Sequence, residues 1–437
     1  MSKSSLLNDC KPRDLQVKIL HFLEIEELLE LLCVSKYMQT IIAHVPVKMT
    51  TNKIISYDQF EMSFVKFFPS VSSVCLSYYI KIDYELPTLF SSCLRNVKEL
   101  VIKKPGSYFA NLPKLERLTV CSIYKLEEYL PLLPSLKNLN FLKIDYDRVE
   151  DDGYDTDDDN HDAVNSNKDF RYVDLSQYIP KIKTLHIRYR HKMPNSFISN
   201  FHNLEELCLV YCHKNITSDA FINLKKLERL YIRDNYNITD DAFEHLPQLK
   251  LLHFESQNRL TDRAFQYLVN LETLKYFGSD TNFTDDAFVN LKNLTNLSCR
   301  YDKNITSKIF VHLPKLKFLD ILECTQLLVK ETFDKLPRLE YLDVRSVNHC
   351  EHADKFIKPE KNIFKKLRVK HLNLDASYMN LSRKDFDDLV KNGLQTLNIV
   401  RDETEDTRFS PFFQKRIILS KDNVKKFLKI VRKLTYD

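Results

Sequence analysis

The densest set of metal-capable side chains in this chain is His349, Cys350 and His352, with Glu351 between them. Imidazole and thiolate suit zinc, but a zinc centre needs about four donors at loop spacing, and no zinc-spaced cysteine set accompanies these. A second candidate is the run Asp145–Asp162, which holds ten acidic residues against one arginine, Arg148. Read as a calcium loop, it places Asn160 where glycine is required, and no glutamate closes it. Both are read as solvated surface. Only four glycines occur, Gly106, Gly153, Gly278 and Gly393, so no loop can converge backbone N–H groups on a phosphate. Neither a GxSxG elbow nor an HExxH helix is present. The reading is a protein with no catalytic set, no metal and no cofactor.

What the sequence does contain is a period. The first leucines of an L-x-x-L-x-apolar phrase fall at Leu204, Leu227, Leu249, Leu271, Leu294, Leu316 and Leu339, in steps of 22 or 23 residues. A fixed period of this length marks stacked units that bury their apolar faces only against one another. In the unit from Leu227, Leu230 and Ile232 alternate with Arg229, Tyr231 and Arg233, the pattern of a short strand with one buried face. Asn235 ends the strand, where its amide can satisfy backbone groups. Thr239 offers a helix N-cap, and Asp240 and Asp241 suit the positive end of the helix dipole. The helical phrase recurs as TSDAF, TDDAF, TDRAF, TDDAF and TSKIF, ending at Phe221, Phe243, Phe265, Phe288 and Phe310, with a weaker VKETF at Phe333.

These two halves in register resemble the leucine-rich-repeat family. The resemblance implies an α/β solenoid, curved, with a parallel β-sheet on its concave side and helices on the convex side. The asparagine position of that family is filled by Asn235 here, and by Cys212, Gln257, Ser279, Asp302 and Cys324 in neighbouring units. Cysteine is a common substitute in the family; the others imply irregular turns. Weaker phrases begin at Leu115, Leu136, Ile182, Val369 and Leu394, and fainter ones at Val71 and Val97.

Ahead of the repeats, Pro12 fits a helix start and Leu15, Ile19, Phe22 and Leu23 share one helical face. An apolar stretch from Leu28 to Val34 and a third helix toward Ile42 follow. The segment resembles the F-box: Pro12, Asp14, Leu15, Ile19, Phe22 and Leu23 match its first phrase, and Val34 and Lys36 its second. It departs from the pattern at Lys11, Gln16, Ser35 and Met38, the last standing where tryptophan is usual. An F-box followed by leucine-rich repeats is the layout of F-box/LRR proteins. The resemblance implies a small all-α module docking on Skp1 through Pro12, Leu15, Ile19, Phe22, Leu23, Val34 and Met38. It also implies a cullin ubiquitin ligase as the assembly and an unidentified protein substrate on the repeats. The alternative reading is a non-catalytic scaffold or inhibitor whose N-terminal helices only cap the solenoid.

On the concave sheet, strand alternation places Tyr189, Tyr211, Tyr231, Arg233, His253, Glu255, Lys275, Phe277, Arg300, Tyr301, Phe318, Tyr341 and Arg345. Aromatic residues and arginine are what protein interfaces enrich, so this is the expected substrate face. The expected order is the F-box-like module over 1–45, a linker with divergent repeats over 46–110, and repeats over 111–410. An acidic insertion over 145–165 interrupts the repeats, and a basic helical cap is expected over 411–437.

The remaining composition narrows the class. Charged residues make up 29% and hydrophobic residues 43% of the 437, ordinary for a globular protein. No stretch approaches the roughly 18 apolar residues of a membrane span. The first residues lack the apolar core of a signal peptide. Ten cysteines without CxxC pairs argue for reduced thiols in the cytoplasm or nucleus. Sequons at Asn215, Asn237, Asn282 and Asn304 share one turn of successive repeats and read as by-products of the N-x-T helix start. The tail from 411 to 437 carries eight Lys or Arg and two Asp, but a net charge of +5 is too small to favour nucleic acid as partner.

Overall fold

The computed structural model describes residues 48–50, 73–76, 95, 97–102, 112–120, 130–145, 174–188, 193–212, 216–255, 259–277, 281–322, 324–327, 329, 332–344, 367–375, 388–400 and 414–418. The F-box-like segment up to Ile42, the acidic run after Asp145, the His349–His352 cluster, Tyr189, Gln257, Ser279, Arg345 and the tail helix after Ser420 lie outside them. The chain divides into two compact units, residues 1–208 and 209–437.

In the first unit, β1 (Lys48–Thr50), β2 (Ser73–Leu76), β3 (Glu99–Ile102), β4 (Arg117–Val120), β5 (Phe141–Asp145) and β6 (Thr184–Arg188) pair in sequence order, all parallel. The faint phrases at Val71 and Val97 each supply a strand of this parallel sheet. Their leucines fall in one register: Leu100, Leu118, Leu142 and Leu185 are direct neighbours, each at most 3% exposed. A one-residue slip would turn this whole file to solvent, so burial fixes the pairing. β7 (Glu206–Val210) falls across the boundary between the units.

The second unit holds β8 (Arg229–Arg233), β9 (Leu251–Glu255), β10 (Thr273–Phe277), β11 (Asn296–Arg300), β12 (Phe318–Asp320), β13 (Tyr341–Val344), β14 (His371–Asp375) and β15 (Thr396–Val400), parallel and in order. One strand breaks the pattern. β16 (Gln414–Ile418) runs back antiparallel along β15, where the sequence reading placed no strand. The stretch QKRII ends in two β-branched residues and covers the last parallel strand's free backbone groups, which would otherwise present an open edge.

Opposite the sheet, each unit of about 22 residues leaves room for only one helical turn. Most of these turns are 3-10 helices, as at Ser218–Phe221, Asp240–His245, Asp285–Phe288 and Ser307–His312, with an α-helix at Asp262–Gln266. The Ala-Phe pairs, and Ile309-Phe310 in the last of these turns, fill the space between helix and sheet: Phe221, Phe243, Phe265, Phe288 and Phe310 are all fully buried. At the centre, Phe283 packs edge-on against Tyr276 at 5.1 Å and Phe265 at 5.0 Å, while Phe254 stacks on Tyr276 at 5.3 Å. Such pairs add about 0.5–1.5 kcal/mol each beyond their buried area.

The turns follow the sequence logic with one exception and one addition. Thr217, Thr261, Thr284 and Thr306 each accept a bond from the backbone N–H two residues on. Thr239, the unit from which the cap was argued, makes no such bond; its hydroxyl pairs with Ser218 Oγ at 3.0 Å instead. The addition is a ladder between repeats. Asp240 accepts the backbone N–H and the hydroxyl of Thr261 at 2.8 and 2.6 Å, Asp262 those of Thr284, and Asp285 those of Thr306. Asp240 and Asp241 do stand in the first helical turn, as expected, and Asp240, Asp262 and Asp285 also tie each repeat to the next.

Candidate protein-binding face of the sheet

The strand pleat sends one set of side chains inward and the other to the open face of the sheet. In the second unit this open face carries three files, fixed by register. The first runs Arg229, Leu251, Thr273, Asn296, Phe318, Tyr341, His371, Thr396. The middle file is Tyr231, His253, Lys275, Ser298, Asp320, Asp343, Asn373, Asn398. The third begins Arg233, Glu255, Phe277, Arg300. All the described residues expected on this face lie on it or at its turn edge.

Two expected residues arrive by a route that strand alternation does not give. Tyr211 and Tyr301 directly follow strands and take φ of +59° and +62°, with Asp234 at +52° in the equivalent place between them. A non-glycine residue in this left-handed region is uncommon and costs about 1–2 kcal/mol. Backbone bonds hold the turns: Tyr211 N–H donates to Arg233 O at 3.0 Å, and Tyr301 N–H to Leu322 O at 3.0 Å. The rings then meet the third file. Tyr301 lies 4.8 Å from the Phe277 ring, and the Arg233 guanidinium sits 5.9 Å from that of Tyr211.

Further along, Phe318 and Tyr341 stack at 4.3 Å in the first file. His253 is half-buried and edge-on to Tyr231 at 5.9 Å. Burial lowers its pKa, and Lys275 and Arg300 add to that, while Glu255 acts in the opposite sense. The imidazole is therefore neutral at neutral pH.

The sequence reading passed over the polar half of the middle file. Asp320 and Asp343 are 4% and 2% exposed, although they stand on the open face. Asp320 Oδ2 accepts from Ser298 Oγ at 2.9 Å and from Arg300 Nε and Nη2 at 3.1 and 2.6 Å. Asp343 Oδ2 accepts from Asn373 Nδ2 at 2.8 Å, and Asn398 Nδ2 donates to Asn373 Oδ1 at 2.7 Å. Alternation did place these residues outward; they were missed because small polar side chains carry no interface signature of their own. They hold the larger groups in place, Arg300 above all. In the first unit the same face carries Arg117 lying 3.6 Å over the Phe141 ring, and His186 Nε2 2.8 Å from Glu206 Oε1. Neither pair was anticipated.

Beneath the face, the asparagine position does what its chemistry allows in each repeat. Asn235 Nδ2 donates to Leu209 O at 2.9 Å and Arg233 O at 2.7 Å. Cys212 and Cys324 substitute with thiol contacts to carbonyls at 3.4–3.6 Å. Asp302 has no donor, and accepts the hydroxyl of buried Tyr276 at 2.7 Å and the Asn304 N–H at 2.7 Å.

Among the described residues no group of three or more His, Cys, Asp or Glu could hold a metal. No helix among them is long and apolar enough to cross a membrane. Cys208, Cys212, Cys299 and Cys324 are free thiols. Burial, with Glu206 and Asp145 adding and Lys143 opposing, pushes the Cys208 pKa up to about 11, so that thiol is not a nucleophile at neutral pH.

Comparison with known proteins agrees with the geometry. The model of the BspA type leucine-rich repeat region matches in six copies over residues 178–295 and 214–340. The F-box domain model matches residues 12–50, of which the structure describes only 48–50. Among solved structures, the fold compares with that of the TLR13–ssRNA13 complex at TM-score 0.50 and 17% identity, covering 85% of this chain and 55% of that one. An internalin from Listeria monocytogenes gives TM-score 0.46 and 15% identity over 88% of this chain and 96% of that one. The Rad7 and Elc1 complex of yeast gives 0.43 and 14% over 79% and 96%. No curated protein matches. The fold is thus a leucine-rich-repeat solenoid. With the F-box match ahead of it, the chain combines an F-box domain with leucine-rich repeats, the F-box/LRR layout.

Proposed function

We propose that this chain is a substrate-recognition adaptor of a Skp1–cullin–F-box ubiquitin ligase. The observation that carries the reading is the F-box match over residues 12–50 in the same chain as the repeats. F-box domains and leucine-rich repeats are binding modules, and the chain itself performs no chemistry in this reading. The face described above supplies the second requirement, a surface rich in aromatic residues and arginine for a protein substrate. The mechanism is proximity: holding a substrate beside the loaded conjugating enzyme raises the effective concentration of its lysines there. The Skp1 contacts follow from resemblance: Pro12, Leu15, Ile19, Phe22, Leu23, Val34 and Met38. Such an adaptor works where cullin ligases work, in the cytoplasm or nucleus.

A pull-down from eukaryotic lysate tests this, using the full chain beside the double variant Leu15→Ala, Ile19→Ala. Skp1 and cullin are expected with the full chain and absent with the variant. A folded full chain that recovers neither sinks the adaptor reading and leaves a repeat scaffold.

A further inference from the structure

The third file of the second unit shows a segregation of charge by depth. Arg233 and Arg300 side chains are 52% and 38% exposed, whereas the carboxylates that hold them, Glu255, Asp234 and Asp320, are 31%, 18% and 6% exposed. Lys275 is exposed as well, with no carboxylate within ion-pair reach among the described residues. A partner approaching the sheet therefore meets the cations first. Asp320 orients the Arg300 guanidinium in advance through Nε and Nη2, and Arg233 Nε lies within ion-pair distance of Glu255 and Asp234 at 3.2 and 3.4 Å. Pre-ordering of this kind removes part of the entropy cost of binding.

Between the cations lies an apolar platform. Phe277 is 44% exposed, one of the few large apolar side chains so open, and Tyr301 flanks it at 4.8 Å. Register puts Arg233 two strands to one side of Phe277, Arg300 on the adjacent strand to the other, and Lys275 two residues earlier on the same face. At about 4.8 Å per strand, Arg233 and Arg300 stand roughly 14 Å apart along the file. That is about four residues of extended chain.

We propose that this patch reads a short extended peptide lying across β8–β11, with an apolar side chain on Phe277 and Tyr301, Asp or Glu residues reaching Arg233 on one side and Arg300 on the other, and Lys275, on the strand of Phe277, adding positive charge beside its path. The proposal rests on the adaptor reading for its biology, since such a peptide would be the recognition element of the substrate. Charge complementarity selects a peptide over a nucleic acid. Glu255 and Asp234 interrupt the cations and would repel a continuous phosphodiester, but are spaced to sit beside the neutral residues of an alternating peptide.

The test uses the full chain as bait for a displayed library of random short peptides, with Lys275→Glu and Phe277→Ala as second and third baits. Both substitutions fall on exposed side chains, and thermal melts of all three baits check that the fold is kept. Peptides with Asp or Glu flanking a bulky apolar residue are expected to be enriched at least about tenfold, a difference of about 1.4 kcal/mol. Lys275→Glu should weaken the acidic preference at least about tenfold, or about 1.4 kcal/mol, while Phe277→Ala should keep it and lose the apolar one. No enrichment, enrichment without acidic residues, or an acidic preference undiminished by Lys275→Glu overturns the proposal. So does a single-stranded RNA that binds the full chain at physiological salt and not the Lys275→Glu variant. Skp1 binding is measured on the same baits. Its absence counts against the adaptor reading alone, because the peptide preference is read without it.

Discussion

Asn235 and Asp302 occupy one position of the repeat, and they satisfy their surroundings in opposite senses, the first by donating to carbonyls and the second by accepting from Tyr276. The tyrosine explains the aspartate. Tyr276 carries a hydroxyl into the core at a position where other repeats place Ile232, Phe254 or Cys299, and a buried hydroxyl without a partner is costly. Tyr276→Phe should therefore destabilise the protein by about 1–3 kcal/mol although it removes one atom, because Asp302 loses a donor at a fully buried site. Urea denaturation measures it; a change near zero would mean that Asp302 is solvated in another way. His253 gives a second test at this scale. Burial holds its pKa below the ordinary 6.5, so as pH falls through that value the unfolded chain takes the proton first and folded stability declines. At neutral pH the effect is absent. His253→Gln should flatten the fall in melting temperature below about pH 6.5, and an unchanged acid slope would contradict the burial argument.

At the scale of the element, what repeats is the strand, its turn and the Thr-Asp ladder on the helical side. The strand was legible because alternation and a leucine file are statements about burial, and burial here is nearly complete. The ladder was not legible, although the T-D pair repeats in plain sight at Thr239, Thr261 and Thr284. Its bonds cross between repeats, whereas a capping argument considers one helix at a time. Asp285→Ala should cost about 1 kcal/mol by stripping two bonds from Thr306. Asp286→Ala, one residue on and exposed, should be neutral within about 0.5 kcal/mol. Equal effects of the two would return the aspartates to a dipole role. The aromatic cluster lies on the same scale. Phe283→Ala leaves a void facing Phe265, Tyr276 and Phe288 and should cost about 3–5 kcal/mol in denaturant unfolding; a loss under 1 kcal/mol would show that neighbouring repeats collapse into the gap.

For the molecule as a whole, a repeat array has stability that is roughly a sum over units and their interfaces, so its ends must be closed. The last parallel strand, β15, is paired by the antiparallel β16, which no repeat-based reading could place, because QKRII carries neither the leucine phrase nor the helical one. The open face was legible in part. Alternation gave its aromatic and basic members, while the φ-positive turns at Tyr211 and Tyr301 and the buried Asp320 and Asp343 depend on tertiary contacts that no local pattern encodes. Function was legible only at its outline, since the sequence carries an F-box and a repeat array, while the partner is left to side-chain placement. The central claim is that residues 12–50 engage Skp1. The most direct measurement is titration of purified full-length protein with purified Skp1, beside the folded double variant Leu15→Ala, Ile19→Ala. The account predicts saturable binding by the full chain, weakened at least about tenfold in the variant, or about 1.4 kcal/mol. A folded full chain that binds no Skp1, or a variant that binds as well as the parent, would contradict it.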